Sequence, residues 1–104
     1  MAWYSSSNVI ESWHDAWLRE FFESDIRSQK IPSDLRDRLF RKLQLLEDAT
    51  TEADLRVPPS NYFESLKGKL IGWNSIRVND QWRLIFQWSE GKATEVYLDN
   101  HSYR

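Results

Sequence analysis

Apolar residues recur with a helical period in the first half of the chain and alternate with polar residues in the second half. A first helix is predicted over about residues 9–27, where large apolar side chains recur every three or four positions and Asn8 with Glu11 forms a capping box. A second helix is predicted from about Pro32 to Thr50. The apolar stripe of this second helix consists of Leu35, Leu39, Leu43 and Leu46.

The polar side of the second helix carries two pairs of opposite charges. Asp34 lies four residues before Arg38, and Asp37 lies four residues before Arg41, a spacing at which side chains meet on a helix. Two ion pairs are therefore expected on the solvent side of this helix. Residues 51–55 are predicted to add one more helical turn after it.

From Tyr62 onward the apolar period changes to two, and glycine, asparagine and aspartate mark the turns. Strands are predicted over residues 62–67, 73–78, 82–89 and 93–101. Short loops favour antiparallel neighbours. The predicted fold class is therefore α+β, with two N-terminal helices packed on a mainly antiparallel four-stranded sheet. A chain of 104 residues is expected to form a single domain, residues 1–104, with helices over about 9–50 and the sheet over about 62–101.

Strand alternation fixes how the last three strands pair, because residues opposite each other share a face of the sheet. The apolar face is predicted to pack against the helices, and its members are Ile76, Val78, Trp82, Leu84, Phe86, Trp88, Val96 and Leu98. Keeping this face continuous requires Val78 to pair with Trp82 across a three-residue loop, 79–81. Arg77 then lies opposite Arg83.

The same test on the next hairpin pairs Trp88 with Thr94 and leaves residues 90–92 as the loop. Asp99 then lies opposite Arg83. One row across three strands is thus predicted to contain Arg77, Arg83 and Asp99, with His101 on the same face two residues further on. Histidine can exchange a proton near neutral pH because its unperturbed pKa is about 6.5.

Two arginines opposite each other repel and are normally destabilising. One interpretation is an ordinary solvated face, in which Asp99 forms a surface salt bridge. The other is a site where two guanidinium groups await an anion, most plausibly phosphate, because their planar forks suit phosphate oxygens. Lys67, beside Gly68, could equally belong to a solvated turn, and His14 is predicted to be structural.

Composition narrows the possible functions. The chain has no cysteine, which excludes disulfides, zinc–thiolate sites and a cysteine nucleophile. Neither a nucleotide-binding fingerprint nor a metal-ligand spacing occurs, so no cofactor and no metal are expected. No apolar run approaches the roughly 20 residues that a membrane-spanning helix needs, and the first residues do not resemble a signal peptide. A cytoplasmic location is therefore expected. The net charge of −2 means that any anion-binding surface must be local.

Residues 42–101 resemble the RelE/HigB group of toxins from bacterial type II toxin–antitoxin systems. The matching stretches are residues 42–50, 54–59 and 66–68, the final strand 96–101 and, most specifically, Ser75-Ile76-Arg77-Val78-Asn79-Asp80-Gln81-Trp82-Arg83. The first 30 residues match poorly, since the group opens with a short basic strand and this chain has an acidic, tryptophan-rich segment. The sequence also departs from the group's pattern at Asn100 and at residues 69–71.

The resemblance implies a RelE/ParE-like fold, ribosome-dependent cleavage of messenger RNA in the A site, and a cognate helix-turn-helix antitoxin of the HigA type. Its active-site positions correspond to Lys67, Arg83, Asp99 and His101, and the strand register adds Arg77. We expect a metal-independent reaction, in which the cations stabilise phosphate charge and His101, held with Asp99, moves a proton as base or as acid.

Two alternatives remain open at this stage. ParE-type toxins share the fold and inhibit DNA gyrase without cutting nucleic acid, and fold alone does not separate the two activities. The second alternative is a non-catalytic module that binds a protein partner through its aromatic residues. The predicted set of lysine, arginine, aspartate and histidine favours the nuclease, because a gyrase inhibitor does not need it.

Overall fold

The helices and strands of the protein alternate with short 3₁₀ turns in a computed structural model that describes residues 10–100. The α-helices are α1, Ala16–Ser24, and α2, Arg36–Asp48. The strands are β1, Glu64–Ser65; β2, Asn74–Arg77; β3, Arg83–Ser89; and β4, Lys92–Asp99. They form one antiparallel sheet in the order β1-β2-β3-β4. The predicted α+β class and the four-stranded sheet are confirmed, whereas the helix bounds match only in part.

The helices cover the apolar face of the sheet. The apolar stripe predicted for the second helix is fully buried. Its leucines at positions 35, 39, 43 and 46, the first of which lies just before α2, are each at most 1% exposed. They share one core cluster with α1 and with the apolar side chains of the strands, which are Ile76, Val78, Leu84, Phe86, Val96 and Leu98. Trp82 and Trp88 pack at the margin of this core. Within residues 10–100, no helix is long and apolar enough to cross a bilayer.

The first helix is shorter than its periodicity predicts, and the prediction of a start at residue 9 is wrong. Residues 11–14 instead run along the outer edge of β4, where the Glu11 N–H donates to the Ala93 carbonyl at 2.8 Å and the His14 N–H donates to the Val96 carbonyl at 2.9 Å. Unpaired backbone groups at a sheet edge are costly, so pairing with β4 overrides the helical pattern here. The predicted cap at Asn8 lies outside the described residues.

The end of α1 also comes earlier than the predicted residue 27. Asp25 adopts a left-handed conformation with φ of 54°. Its N–H donates to the Phe21 carbonyl and the next N–H, of Ile26, donates to the Glu20 carbonyl, each at 3.2 Å. The bond from the N–H of the left-handed residue to the carbonyl four residues earlier is the αL motif, which ends a helix.

The two ion pairs expected on the solvent side of α2 do not form. Neither Asp34 with Arg38 nor Asp37 with Arg41 is among the ion pairs within 4 Å that residues 10–100 make with one another. Both arginines are exposed. Exposed pairs contribute little, roughly 0–1 kcal/mol, because water solvates each charge almost as well.

The hairpin between β3 and β4 has a two-residue turn and not the predicted three-residue loop. Glu90 and Gly91 have φ values of 51° and 79°, and positive φ at both central residues is the requirement of a type I′ turn. The predicted pairing of Trp88 with Thr94 is therefore wrong, and Trp88 lies opposite Ala93.

A β-bulge compensates for the shorter turn. Two residues of β4, Glu95 and Val96, lie opposite one residue of β3, Phe86. The extra residue shifts the remainder of β4 by one position. Arg83 consequently lies opposite Asp99, as predicted, although the loop from which this pairing was inferred is different.

The turn between β3 and β4 approaches the end of α2 closely, and this contact makes Gly91 sensitive to substitution. A Cβ atom on Gly91 would lie 2.9 Å from the carbonyl oxygen of Thr50, and its φ is already left-handed. We expect Gly91→Ala to lower the free energy of unfolding by about 2–3 kcal/mol, from left-handed strain of roughly 1–2 kcal/mol and displacement of the backbone. Urea unfolding of the variant measures this loss.

Gly68 provides the matched control for this prediction. It also has a left-handed φ, 65°, but a Cβ atom there would meet nothing within 4 Å. Gly68→Ala should therefore lose only the strain component, roughly 1–2 kcal/mol. Equal losses in the two variants would contradict a role for the contact with Thr50.

Residues 51–61 connect α2 to the sheet through two 3₁₀ turns, and the first, Glu52–Arg56, confirms the predicted extra helical turn. Thr51 caps this turn by accepting a hydrogen bond from the Asp54 N–H. In return, the Asp54 carboxylate accepts hydrogen bonds from the Thr50 and Thr51 N–H groups at 3.0 and 3.1 Å. These backbone bonds lower the pKa of Asp54 below its usual value.

The lowered pKa of Asp54 makes stability depend on pH in acid. Because the folded protein favours the ionised carboxylate, its contribution is fully present above the ordinary aspartate pKa of about 3.9 and is lost as pH falls through the lower folded value. We expect Asp54→Asn to be less stable than the unmodified protein at pH 7 and the difference to shrink below about pH 4. Urea midpoints measured at several pH values check this, and a difference that grows in acid would contradict it.

Candidate active site

The polar face of the sheet, opposite the helices, carries the predicted row of charged residues. Arg77 of β2 lies opposite Arg83 of β3, and Arg83 lies opposite Asp99 of β4. We call these three residues the polar row. Neighbouring strands are about 4.7–5.5 Å apart, so the register places the three backbones within two strand spacings. The row confirms the predicted alignment of its members.

Arg83 lies at the centre of the row and is almost completely enclosed, with 9% of its surface exposed. Its Nη1 atom lies 3.8 Å from the Glu64 carboxylate and 3.5 Å from the carbonyl oxygen of Tyr62. Both partners approach from the chain around β1. They hold the guanidinium in place while Glu64 itself remains half exposed to solvent.

Arg77 is held by different contacts. Its guanidinium carbon lies 4.4 Å from the centre of the Tyr62 ring, a cation–π arrangement, and its Nη2 atom lies 3.6 Å from the Asp80 carboxylate. Its Nε atom is buried and has no hydrogen-bond partner among the described residues. Tyr62 therefore contacts both arginines, one through its ring and the other through its carbonyl oxygen.

These contacts explain how two opposed arginines coexist. Glu64 and Asp80 each bring a carboxylate to one guanidinium, and the Tyr62 ring covers the other face of Arg77. Both carboxylates are well exposed, so water screens much of their attraction. Asp99 is a third carboxylate beside these arginines, so an anion would bind through guanidinium N–H donors that these contacts leave unused and not through an excess of positive charge.

Sequence reasoning missed Glu64 and Tyr62. The pairing of Glu64 with Ser75 in the structure places Glu64 on the polar face, level with a residue two positions from Arg77. Tyr62 gave no comparable signal. It adopts a left-handed φ of 46° outside the regular strands, and strand alternation does not predict where such a residue points.

Lys67, another predicted site residue, stands apart from the row. Lys67 is exposed and follows β1 at the start of the 3₁₀ turn Gly68–Leu70. The preceding residue, Leu66, bonds to Trp73, four residues from Arg77, so the backbone of Leu66 lies about 13 Å along the strand direction from the row and Lys67 follows it on the far side. His101 lies outside the described residues, and its place beside Asp99 stays a prediction.

A second histidine reaches the polar face. The ring of His14 lies 5.0 Å from that of Tyr97, which pairs with Ile85 on the strands that carry the row. Its Nδ1 atom is 3.3 Å from the Asp15 carboxylate. Sequence reasoning assigned His14 a structural role because the predicted helix placed it among tryptophans.

Among residues 10–100, no three histidine, aspartate or glutamate side chains come together as a metal site. The two arginines of the polar row are N–H donors of the kind that bind an anion. A comparison with protein-family models matches residues 11–101 to the RelE-like toxin of the type II toxin–antitoxin system HigB. The chain belongs to this HigB-like toxin family.

Individual HigB-like and related sequences agree with this assignment. The chain is 56% identical over 89 residues to Toxin HigB-1 of Vibrio cholerae serotype O1, covering 86% of this chain and 94% of that protein. It is 40% identical over 93 residues to an uncharacterized protein of Haemophilus influenzae, covering 89% of this chain and 92% of that protein. This HigB-like protein is thus the toxin of a type II system, which implies a cognate antitoxin as its partner.

The HigB-like family match begins well before the stretch on which sequence reasoning recognised the group. That reasoning relied on residues 42–101 and found the first 30 residues atypical. The match from residue 11 includes the segment 11–14, which runs along β4 as a short edge segment and not as a helix. The acidic, tryptophan-rich composition of the first 30 residues prevented sequence reasoning from recognising this part of the family's fold.

Proposed function

We propose that this HigB-like toxin is a ribosome-dependent endoribonuclease that cuts messenger RNA in the ribosomal A site. The observation that carries the proposal is the polar row, in which two arginines and an aspartate are aligned across three strands on the face of the sheet opposite the helices. Such a row can receive one phosphodiester, because guanidinium groups bind phosphate oxygens in a planar, two-point manner.

The reaction we propose needs no metal ion. The ribose 2′-oxygen attacks the adjacent phosphorus, the bond from phosphorus to the 5′-oxygen breaks, and a 2′,3′-cyclic phosphate forms. One proton leaves the 2′-hydroxyl and one reaches the departing 5′-oxygen. The protein therefore has two tasks, which are to stabilise negative charge on the phosphate and to move protons.

Charge stabilisation falls to the cations. Arg83 is enclosed and its Nη1 atom is held by two contacts, so it needs little rearrangement when charge develops on the non-bridging oxygens. Arg77 lies beside it in register. Lys67 would contribute from the edge of the site through its long, exposed side chain.

Proton transfer falls to the end of β4. We assign one of the two proton transfers to His101, as base towards the 2′-hydroxyl or as acid towards the departing 5′-oxygen, with Asp99 orienting either His101 or Arg83. Asp99 is opposite Arg83, so the end of β4 leads directly towards the phosphate that the arginines would hold. Measuring the cleavage rates of the unmodified protein and of its variants over a range of pH would show which residue acts as the base and which as the acid.

The ribosome and its message are the partners in this proposal, and a HigA-like helix-turn-helix antitoxin is the partner that blocks the toxin. A net charge of −2 gives the protein no general attraction to RNA. Positioning by the ribosome supplies what a basic surface would otherwise provide. The site of action is the cytoplasm, where translation occurs.

Primer extension on a reporter message in a translating extract tests the proposal. We expect new 5′ ends that require ribosomes and disappear when the purified antitoxin is added. Intact messages together with inhibited supercoiling by purified gyrase would replace this function with a ParE-like one. Harmless expression in cells that lack the antitoxin would instead favour a non-catalytic interaction module.

A further inference from the structure

A second cationic site adjoins the polar row, in a pocket of about 350 Å³ between α2 and the end of β2. The helix contributes three cationic side chains at spacings of three and four residues, which place them on one helix face. The turn after β2 forms the opposite wall. The lining residues are Arg38, Arg41, Lys42, Ser60, Arg77, Val78, Asn79 and Asp80.

Positive charge in this pocket is poorly compensated. Four of its lining side chains are cationic and one, Asp80, is acidic. The Asp80 side chain is fully exposed and is directed to Arg77 at 3.6 Å. Arg38 and Arg41 form no ion pair with any residue of the described range 10–100. Like charges at this spacing repel, so the pocket favours an anion.

Lys42 is fixed in the pocket by a buried amide. Its Nζ atom donates a hydrogen bond to Oδ1 of Asn61, which is fully buried. The amide nitrogen of Asn61 donates to the carbonyl oxygens of Leu55 and Val57, each at 3.1 Å. Since an ammonium group has three donors, two remain for a ligand. Burial, and then the charge of Arg41, lower the pKa of Lys42, as expected for a cation without a counter-ion.

Arg77 connects the pocket with the polar row. It lines the pocket and is also a member of the row. Its buried Nε donor has no hydrogen-bond partner in the described part of the chain. The two sites are therefore parts of one continuous cationic surface.

We propose that this pocket binds a phosphate group of an RNA backbone, next to the phosphodiester held by the polar row. The proposal rests on the proposed nuclease function and assigns Arg38, Arg41 and Lys42 to RNA binding. The phosphate belongs either to the message or to ribosomal RNA. A carboxylate of a protein partner has similar chemistry, but the sharing of Arg77 with the row favours RNA.

Binding of a short 2′-O-methyl oligoribonucleotide, which lacks the attacking hydroxyl, tests the pocket without cleavage. Fluorescence anisotropy with the full chain over a range of salt concentrations measures both affinity and salt dependence. Arg38→Gln and Arg41→Gln should each weaken binding about 5-fold at 0.1 M salt and reduce the log–log salt slope by about 0.7. Both residues are exposed, and thermal unfolding should show that the variants remain folded.

Arg19→Gln is the matched control. Arg19 is an exposed arginine on α1 and pairs with Glu23 at 3.0 Å, away from the pocket. Its removal changes the net charge equally and should alter neither affinity nor slope by more than the general charge effect. If all three variants behave alike, the pocket does not bind the oligonucleotide.

Co-sedimentation with ribosomes that carry no message distinguishes the two sources of phosphate. Weaker oligonucleotide binding with unchanged ribosome binding identifies the message, and the reverse identifies ribosomal RNA. If neither RNA interaction changes, the pocket proposal is overturned, and loss of antitoxin binding would then assign the pocket to a protein partner. None of these results bears on the nuclease proposal, which is tested by whether the unmodified protein cuts messages. The nuclease proposal fails only if the unmodified protein leaves messages intact.

Discussion

Replacement of Arg83 by alanine is expected to lower the rate of ribosome-dependent message cleavage by about 10²- to 10³-fold. The loss of one preorganised donor to a developing oxyanion typically has this effect. Arg83 qualifies because it is enclosed in the centre of the polar row and is held by Glu64 and Tyr62 before substrate arrives. Single-turnover cleavage on message-programmed ribosomes measures the rate directly.

An arginine outside the polar row, Arg56, provides the control for the substitution of Arg83. Arg56 pairs with a glutamate as Arg83 does, with Glu52 at 3.3 Å, and lies over an aromatic ring, at 4.7 Å from the centre of Phe63. It is not a member of the polar row. Arg56→Ala should keep the unmodified rate. A slow Arg83→Ala with normal unfolding and normal ribosome binding supports the assignment, whereas cleavage at the unmodified rate would remove Arg83 from the mechanism.

Replacement of His101 by alanine is expected to reduce the cleavage rate by about 10²- to 10⁴-fold, the usual contribution of a positioned general acid or base. The reason is its predicted position two residues beyond Asp99, on the face of the polar row. Added imidazole should restore part of the lost rate if the missing group is a proton carrier. Cleavage rates measured with and without imidazole, over a range of pH, check both expectations.

His14 is the natural control for this substitution. Its ring reaches the polar face beside Tyr97, and it is an exposed histidine. We expect His14→Ala to cleave at close to the unmodified rate and to show no imidazole effect. A large loss at His14 with none at His101 would transfer proton movement to the other histidine and refute our assignment.

The sheet face could be predicted from sequence because pairing in a half-buried sheet has few solutions. A slip of one residue between β2 and β3 would turn Ile76 and Leu84 to solvent, and this penalty fixes Arg77 opposite Arg83. The β3–β4 pair shows where the argument weakens. A shorter turn and a β-bulge change the register twice and cancel, so Asp99 reaches its predicted partner by a different path.

The N-terminal segment could not be predicted from its periodicity. Trp13 and Trp17 have helical spacing, but only the second lies in α1. Backbone groups of β4 far along the chain decide the conformation of residues 11–14, and a local pattern contains no information about them. Tertiary pairing outweighs helix propensity, which is a weak preference for each residue.

The candidate site was predictable only in part, for a related reason. Its members on β2, β3 and β4 follow from the register, whereas Tyr62 and Glu64 depend on the irregular chain before and within a two-residue strand. Lys67 is predicted from the family resemblance and His101 from strand alternation together with the resemblance, and the roles of both stay predictions. A turn such as Pro59–Asn61 is determined by buried contacts of Asn61 that span the connection from α2.

The segment 11–14 has a consequence for assembly. By occupying backbone groups of Ala93 and Val96, it shields one rim of the sheet from adding a foreign strand. At the opposite rim, β1 offers only two residues in regular pairing. An inhibitor that bound by extending the sheet at β4 would first have to peel this segment away, so strand addition there requires a local opening of the fold.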